Sequence, residues 1–298
     1  VQIVFEGGQQ LRGDFVVRAE QRFDLTPVPS TLVLIVRGDE TAAGRFNPGA
    51  LIQAGSTLDR YRIIKVRKAP TEQAQRPEGA ADAREIIAVL DPFLAVSKPL
   101  PRAVFKEGAS AGECLRACGY TGRVGADITL SRFGVVAGDF PTPAIAQAMQ
   151  EEAAACVWRN TGRLDFVRLA DLFQGRPVEA TAADTTLAVE SDFLEQHHIP
   201  WALSVDAAGA IVKGRSDPPR AFVFLPHTGQ RILNNMTQAL VVRRTLPGTY
   251  AGHIRAGDGI DIAGTRHVVV TASHVWENGG DGRTPTQATR LWLAQLHR

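Results

Sequence analysis

The feature that most constrains this 298-residue chain is a change of texture that happens twice: short β-like runs, then two helical phrases, then β-like runs again. Residues 1–6, 15–18, 31–37, 61–67 and 85–90 are rich in Val, Ile and Phe. Gly7-Gly8, Pro27-Val28-Pro29, Asn47-Pro48-Gly49 and Arg76-Pro77-Glu78-Gly79 punctuate them. Such runs bounded by turn formers read as strands. Leu32-Val33-Leu34-Ile35-Val36 is apolar without a break, which marks a strand buried on both faces. Residues 71–82 are polar and alanine-rich and are expected to form a long exposed hairpin loop. From about residue 178 strands are expected again, at 201–205, 210–213, 220–225, 239–244, 259–262, 266–274 and 289–296. Asp206-Ala207-Ala208-Gly209 supplies a hairpin turn between the first two.

The middle reads differently. After a short strand at 103–105, Ser110-Ala111-Gly112-Glu113 matches a capping box, in which Ser110 takes an orphan N–H and Glu113 reaches back. Cys114, Leu115 and Cys118 share one helical face, and Gly119 stands where a left-handed cap is wanted. A second strand at 133–136 leads to Thr142-Pro143, read as an N-cap followed by proline at the first helical position. Ile145, Met149, Glu152, Ala153 and Cys156 continue the helical period, and a strand at 164–168 follows the turn Asn160-Thr161-Gly162.

Composition narrows the function classes. Lys+Arg 33 against Asp+Glu 31 gives a net charge of +2, too balanced for a dedicated nucleic-acid binder. No apolar run approaches the roughly 18 residues that span a bilayer, so no membrane insertion is expected. The opening Val1-Gln2-Ile3-Val4-Phe5-Glu6 lacks the regions of a secretory signal, and none is expected. Three cysteines, Cys114, Cys118 and Cys156, are too few for a disulfide framework and read as small core residues from a reducing compartment.

The residues that could carry chemistry do not assemble into a recognisable site. The seven histidines show no H-x-x-x-H or H-x-H spacing, and the adjacent His197-His198 diverge on helix or strand alike, so no metal is expected. Ser273-His274, with Asp258 or Asp261, has the look of a dyad. Neighbours on a strand point to opposite faces, however, and the nucleophile elbow of a hydrolase is missing. Glu151-Glu152 read as carboxylates on a solvated helix face. Gly257-Asp258-Gly259 is not followed by a helix, so no nucleotide or other cofactor is expected. Arg60, Arg62, Lys65, Arg67 and Lys68 crowd one strand with only Asp59 against them. Either they protect a sheet edge, or they face nucleic acid or an acidic neighbouring subunit. A chain of this size without a catalytic constellation reads as one built to assemble, not as an enzyme.

The phrase from Gly138-Asp139-Phe140-Pro141-Thr142-Pro143 through its helix to Trp158-Arg159-Asn160-Thr161-Gly162-Arg163-Leu164-Asp165-Phe166 resembles the α/β insert of tail and baseplate hub proteins of tailed phages and their contractile-injection relatives. Asp24-Leu25-Thr26-Pro27-Val28-Pro29 is similar to hub openings, and His253-Ile254-Arg255-Ala256-Gly257-Asp258 with Thr289-Arg290-Leu291-Trp292-Leu293 is similar to their endings. The resemblance implies a mainly β protein with a small α/β insert. Two β-barrel, tube-like domains (1–98 and 178–298) would flank a strand-helix-hairpin domain (99–177). It implies a homotrimer whose paired barrels adapt a hexameric tail tube to a trimeric spike or fibre assembly, with the tape-measure protein as a further neighbour and DNA only in transit. The place implied is the virion tail tip or baseplate, after assembly in the bacterial host cytoplasm. Trp201, Trp276 and Trp292 are the interface anchors such an assembly would use, alongside Arg60, Arg62, Lys65 and Arg67; ordinary core packing is the other reading of the tryptophans. Two alternatives stand beside it: a cell-wall hydrolase of the tail tip in which His198, His253 and His274 converge, and a nucleic-acid-binding β-barrel module that uses the 60–68 strand.

Overall fold

The computed structural model describes residues 2–37, 44–69, 83–179, 187–189, 201–214, 222–226, 228–278 and 284–297. The expected loop at 71–82 and the pair His197-His198 lie outside them. The chain opens with six strands: β1 (Ile3–Phe5), β2 (Val16–Asp24), β3 (Ser30–Val36), β4 (Leu51–Ala54), β5 (Asp59–Lys68) and β6 (Arg84–Leu90). Near the end come β16 (Ala239–Thr249), β17 (Gly259–Ile262), β18 (Thr265–Glu277) and β19 (Thr286–His297), preceded by the two-residue β12 (Leu187–Ala188). These elements form one 11-stranded sheet in the order β1-β4-β5-β6-β3-β2-β18-β19-β16-β12, with β17 on β18. The first and last thirds are therefore joined. β2 pairs antiparallel with β18 from Thr271↔Asp24 to Glu277↔Arg18. Among the described residues the sheet does not close into a barrel.

Alternation builds the core. In β3, Leu32, Leu34, Ile35 and Val36 are buried, which agrees with its unbroken apolar run. Phe23, Ile52, Tyr61, Ile63, Ile86 and Leu90 join Leu32, Leu34 and Val36 in one cluster, while Ile35 packs with Ala69 and Ala83 on the other face. Each such side chain contributes about 1.5–3 kcal/mol on leaving water. The hydroxyl of buried Tyr61 accepts from Gln21 at 2.8 Å and bonds Ser30 at 2.7 Å, so the polar tip is satisfied inside the apolar layer. Burial pushes its pKa above the usual tyrosine value.

The middle third is an α/β unit. β7 (Val104–Glu107) pairs with β9 (Arg132–Val135), and β10 (Ala154–Trp158) pairs with β11 (Arg163–Arg168), which also carries the short β8 (Arg123–Val124). Helix α1 (Ala111–Ala117) starts as expected, with the Glu113 N–H donating to the Ser110 hydroxyl at 3.1 Å. The reciprocal half of the box is not made, because Lys106 captures the Glu113 carboxylate at 2.8 Å. Gly119 takes φ +96°, as its capping position requires. Helix α2 (Pro141–Glu151) begins earlier than the sequence suggests: Phe140 is the N-cap and Pro141, not Pro143, fills the first position. The helix also ends sooner, since Ala153 turns to φ +46° and Cys156 lies in β10.

A third small sheet completes the chain: β13 (Trp201–Val205) lies between β14 (Ile211–Lys213) and β15 (Phe222–Phe224). The 206–209 turn makes the first pairing an antiparallel hairpin, whereas β15 runs parallel to β13. Helix α3 (Gln230–Met236), absent from the sequence reading, covers one face of this sheet and packs on α2.

Candidate assembly surfaces

Three parts of the chain meet at Asp59, Trp158 and Arg255. The Trp158 indole N–H donates to one Asp59 oxygen at 2.9 Å, and Arg255 Nη2 pairs with the other at 2.7 Å. Thr57 and Asn160 accept further Arg255 protons, and the guanidinium lies 4.1 Å over the Phe23 ring. Both charged side chains are 3% exposed. An ion pair so dry is worth its desolvation only with most lone pairs and protons matched, and here Arg255 Nη1 alone lacks a partner. The knot fastens β5, the α/β unit and the last third to one another. No local signal in the sequence could have found it, because its members are about 100 and 200 residues apart.

A second polar junction corrects the reading of Glu151-Glu152 as solvated. Their side chains are 7% and 2% exposed. Arg231 on α3 grips Glu152 with both terminal nitrogens, at 2.7 and 2.8 Å, and Arg168 reaches it at 3.3 Å. Burial alone would raise the Glu152 pKa. The Arg231 hydrogen bonds and the two guanidinium charges outweigh that and hold the carboxyl below its usual value. Asn235 adds a bond to the Glu151 carbonyl at 3.0 Å. The pair is buried because α3, distant in sequence, docks on the end of α2.

The basic strand is not an edge. β5 lies between β4 and β6, so edge protection is not what its charges do. Arg62 pairs with Asp91 at 2.7 Å and Arg60 approaches the same carboxylate at 3.7 Å, while Arg67 pairs with Glu85. Lys65 is exposed. Much of the stripe's charge is thus met by carboxylates of this chain, which weakens the case for a nucleic-acid surface. Trp276 is buried and packs at 5.1 Å against Tyr250. Trp292 is half-buried on β19, and Trp201 is half-buried on β13 with Lys213 Nζ 5.2 Å over its ring.

His274 and Ser273 point to opposite sides of β18. Ser273 donates to Glu20 at 2.9 Å. His274 is fully buried: Nε2–H donates to the Ile254 carbonyl at 3.0 Å, which leaves Nδ1 to accept from the Thr289 hydroxyl at 2.9 Å. That hydroxyl in turn accepts the Ala251 N–H at 2.8 Å. A neutral ring satisfies these partners, and burial pulls its pKa down to about 4. This is a structural imidazole with both nitrogens in use. The three cysteines are buried thiols, with Cys156 pushed up to about 12 by burial. Among the described residues no group of three or more metal-ligating side chains converges, and no helix is long and apolar enough to cross a membrane.

No protein-family model matches the chain, and no curated protein matches it in sequence. Solved structures do. A tail protein from Neisseria meningitidis MC58 superposes with TM-score 0.63 at 9% identity, covering 99% of this chain and 96% of its own. The 43 kDa tail protein of prophage MuSo2 from Shewanella oneidensis gives 0.59 at 10%, covering 98% and 97%. The E. coli c3393 protein, a type VI secretion component described as similar to the T4 phage tail proteins gp27 and gp5, gives 0.56 at 8%, covering all of this chain and 77% of its own. The chain therefore has the fold shared by these two tail proteins and this type VI secretion component.

Proposed function

We propose that this chain is a structural hub of a phage-type tail tip or baseplate. Three copies form a ring that seats a hexameric tail tube on one side and a trimeric spike or fibre assembly on the other. In this reading the chain is a virion component assembled in the bacterial cytoplasm, and it works by geometry and not by catalysis. The observation that carries it is the end-to-end likeness of fold: the matches to two tail proteins and a type VI secretion component span 98–100% of the chain. The joined β thirds support it. Each copy brings two antiparallel sets of strands to one sheet, β1–β6 before the α/β unit in the sequence and β16–β19 after it. Three copies then present six such sets, which is what a threefold-to-sixfold adaptor requires.

The test is light scattering of the purified 32.1 kDa chain, alone and mixed with its tail-tube neighbour. A trimer, or a monomer that trimerises on the tube, is the expected result. A chain that stays monomeric in both settings and adds to no tube end overturns the proposal.

A further inference from the structure

The small sheet β14-β13-β15 is apolar on both faces. Its inner face carries Ala202, Val212 and Val223 and packs on Ile232, Leu233 and Met236 of α3. Its outer face carries Trp201, Leu203 and Val205 of β13, Ile211 of β14, and Phe222 and Phe224 of β15. The register sets them side by side, Trp201 next to Phe222, Leu203 next to Phe224 and Val205 next to Ile211. Yet Ile211 is 69%, Phe222 67% and Phe224 51% exposed. Lys213, its ammonium over Trp201, is the one charge on this face among the described residues. A strand with a solvated face normally alternates apolar and polar residues, and a contiguous apolar face of this kind marks an interaction site.

A second unpartnered surface lies on the α/β unit. β7, β9 and α2 enclose an open groove of about 540 Å³, lined by Phe105, Phe133, Ala144 and Ala148. Phe105 is 67% exposed and lies across Gly134. Both cations of the groove are taken, Lys106 by Glu113 at 2.8 Å and Arg132 by Glu151 at 3.7 Å. Glu107, two residues from Phe105 on the same outward side of β7, forms no ion pair among the described residues.

We infer that the outer face of β14-β13-β15 in one copy seats on the α2-β9 groove of a second copy, with Lys213 meeting Glu107. Apolar area matches apolar area, and a lone cation matches a lone carboxylate. A chain cannot satisfy itself this way, since the sheet's outer face points away from α3, which stands between it and α2. The two surfaces differ, so the contact is heterologous: it repeats from copy to copy and closes a ring, where a self-complementary patch would stop at a twofold dimer. The inference rests on the self-assembling part of the proposed function and names the contact that part lacks.

The test compares the native chain with Phe222→Arg/Phe224→Arg, Lys213→Glu, Glu107→Lys and the Lys213→Glu/Glu107→Lys pair by analytical ultracentrifugation, with circular dichroism as the folding check. The double arginine variant should self-associate on the order of a hundredfold more weakly. Each charge reversal should weaken it several-fold and the reversed pair should restore it to within about twofold. These charges are exposed, so the reversal arm decides the matter even if the arginine variant does not fold. A native trimer that neither arm weakens overturns this contact, assigns the face to a different protein, and leaves the proposed function standing. A native ring of another size that the variants dissolve supports the contact and overturns the trimer. A native chain that never self-associates, with or without its tube neighbour, overturns both.

Discussion

Asp59 and Arg255 stand 196 positions apart in the chain and 2.7 Å apart in space, with the Trp158 indole on the same carboxylate. Replacing Asp59 by Asn keeps the shape but strands a buried guanidinium. The expected loss is about 3–5 kcal/mol in urea unfolding, with a changed Trp158 emission. His274 gives a second prediction. Its folded pKa of about 4 lies below the ordinary 6.5, so the folded form disfavours the charged ring. The stability it supplies is complete above about pH 6.5 and is lost as pH falls toward 4, about 3 kcal/mol in all. Urea titrations at pH 7.5, 5.5 and 4.5 should show that loss, and His274→Gln should flatten it. At this scale the sequence was legible where the partner is local. Ser110 announces its own cap because the N–H it takes is three residues on. Glu152 did not announce its burial because Arg231 is 79 residues away, and Trp158 gave no hint that it would bond Asp59.

Between elements, the docking of α3 on α2 is fixed by Glu152, Arg231 and the Asn235 bond to the Glu151 carbonyl. A double-mutant cycle with Glu152→Ala and Arg231→Ala should give a coupling of about 1–2 kcal/mol, modest because Arg231 keeps half its surface in water. Salt should shrink it. Most strands could be read from runs of Val, Ile and Phe between turn formers. The exceptions have physical causes. β4 is only four residues long and follows Asn47-Pro48-Gly49, so it reads as the tail of a turn. β16 continues past Leu246 through Pro247-Gly248, which a sequence reader takes as a stop. Helix α3 is only 7 residues long; Gly229 gives it no side-chain cap, and only Ile232, Leu233 and Met236 are buried.

For the molecule as a whole, the β2–β18 seam decides how the thirds behave. The pairs run from Thr271↔Asp24 to Glu277↔Arg18, and Ala19, Phe23 and Ala272 beside the seam are fully buried or nearly so. Hydrogen exchange should therefore show the amides of β2, β3 and β18 opening together and last, near the global unfolding free energy. Protection of β2 that is lost well before that of β18 would mean the thirds unfold as separate units. The alternation of β, α/β and β texture was visible in the sequence, but the seam was not, because strand pairing between residues some 250 apart leaves no periodicity to read. It has a mechanical consequence. Twisting the first third against the last would shear a whole row of backbone hydrogen bonds at once, so this body carries load as a stiff plate. Any give the molecule has under load must come from the sheet β14-β13-β15, which has its own small core and meets the α/β unit through the α3 contacts with α2 instead of a shared ladder.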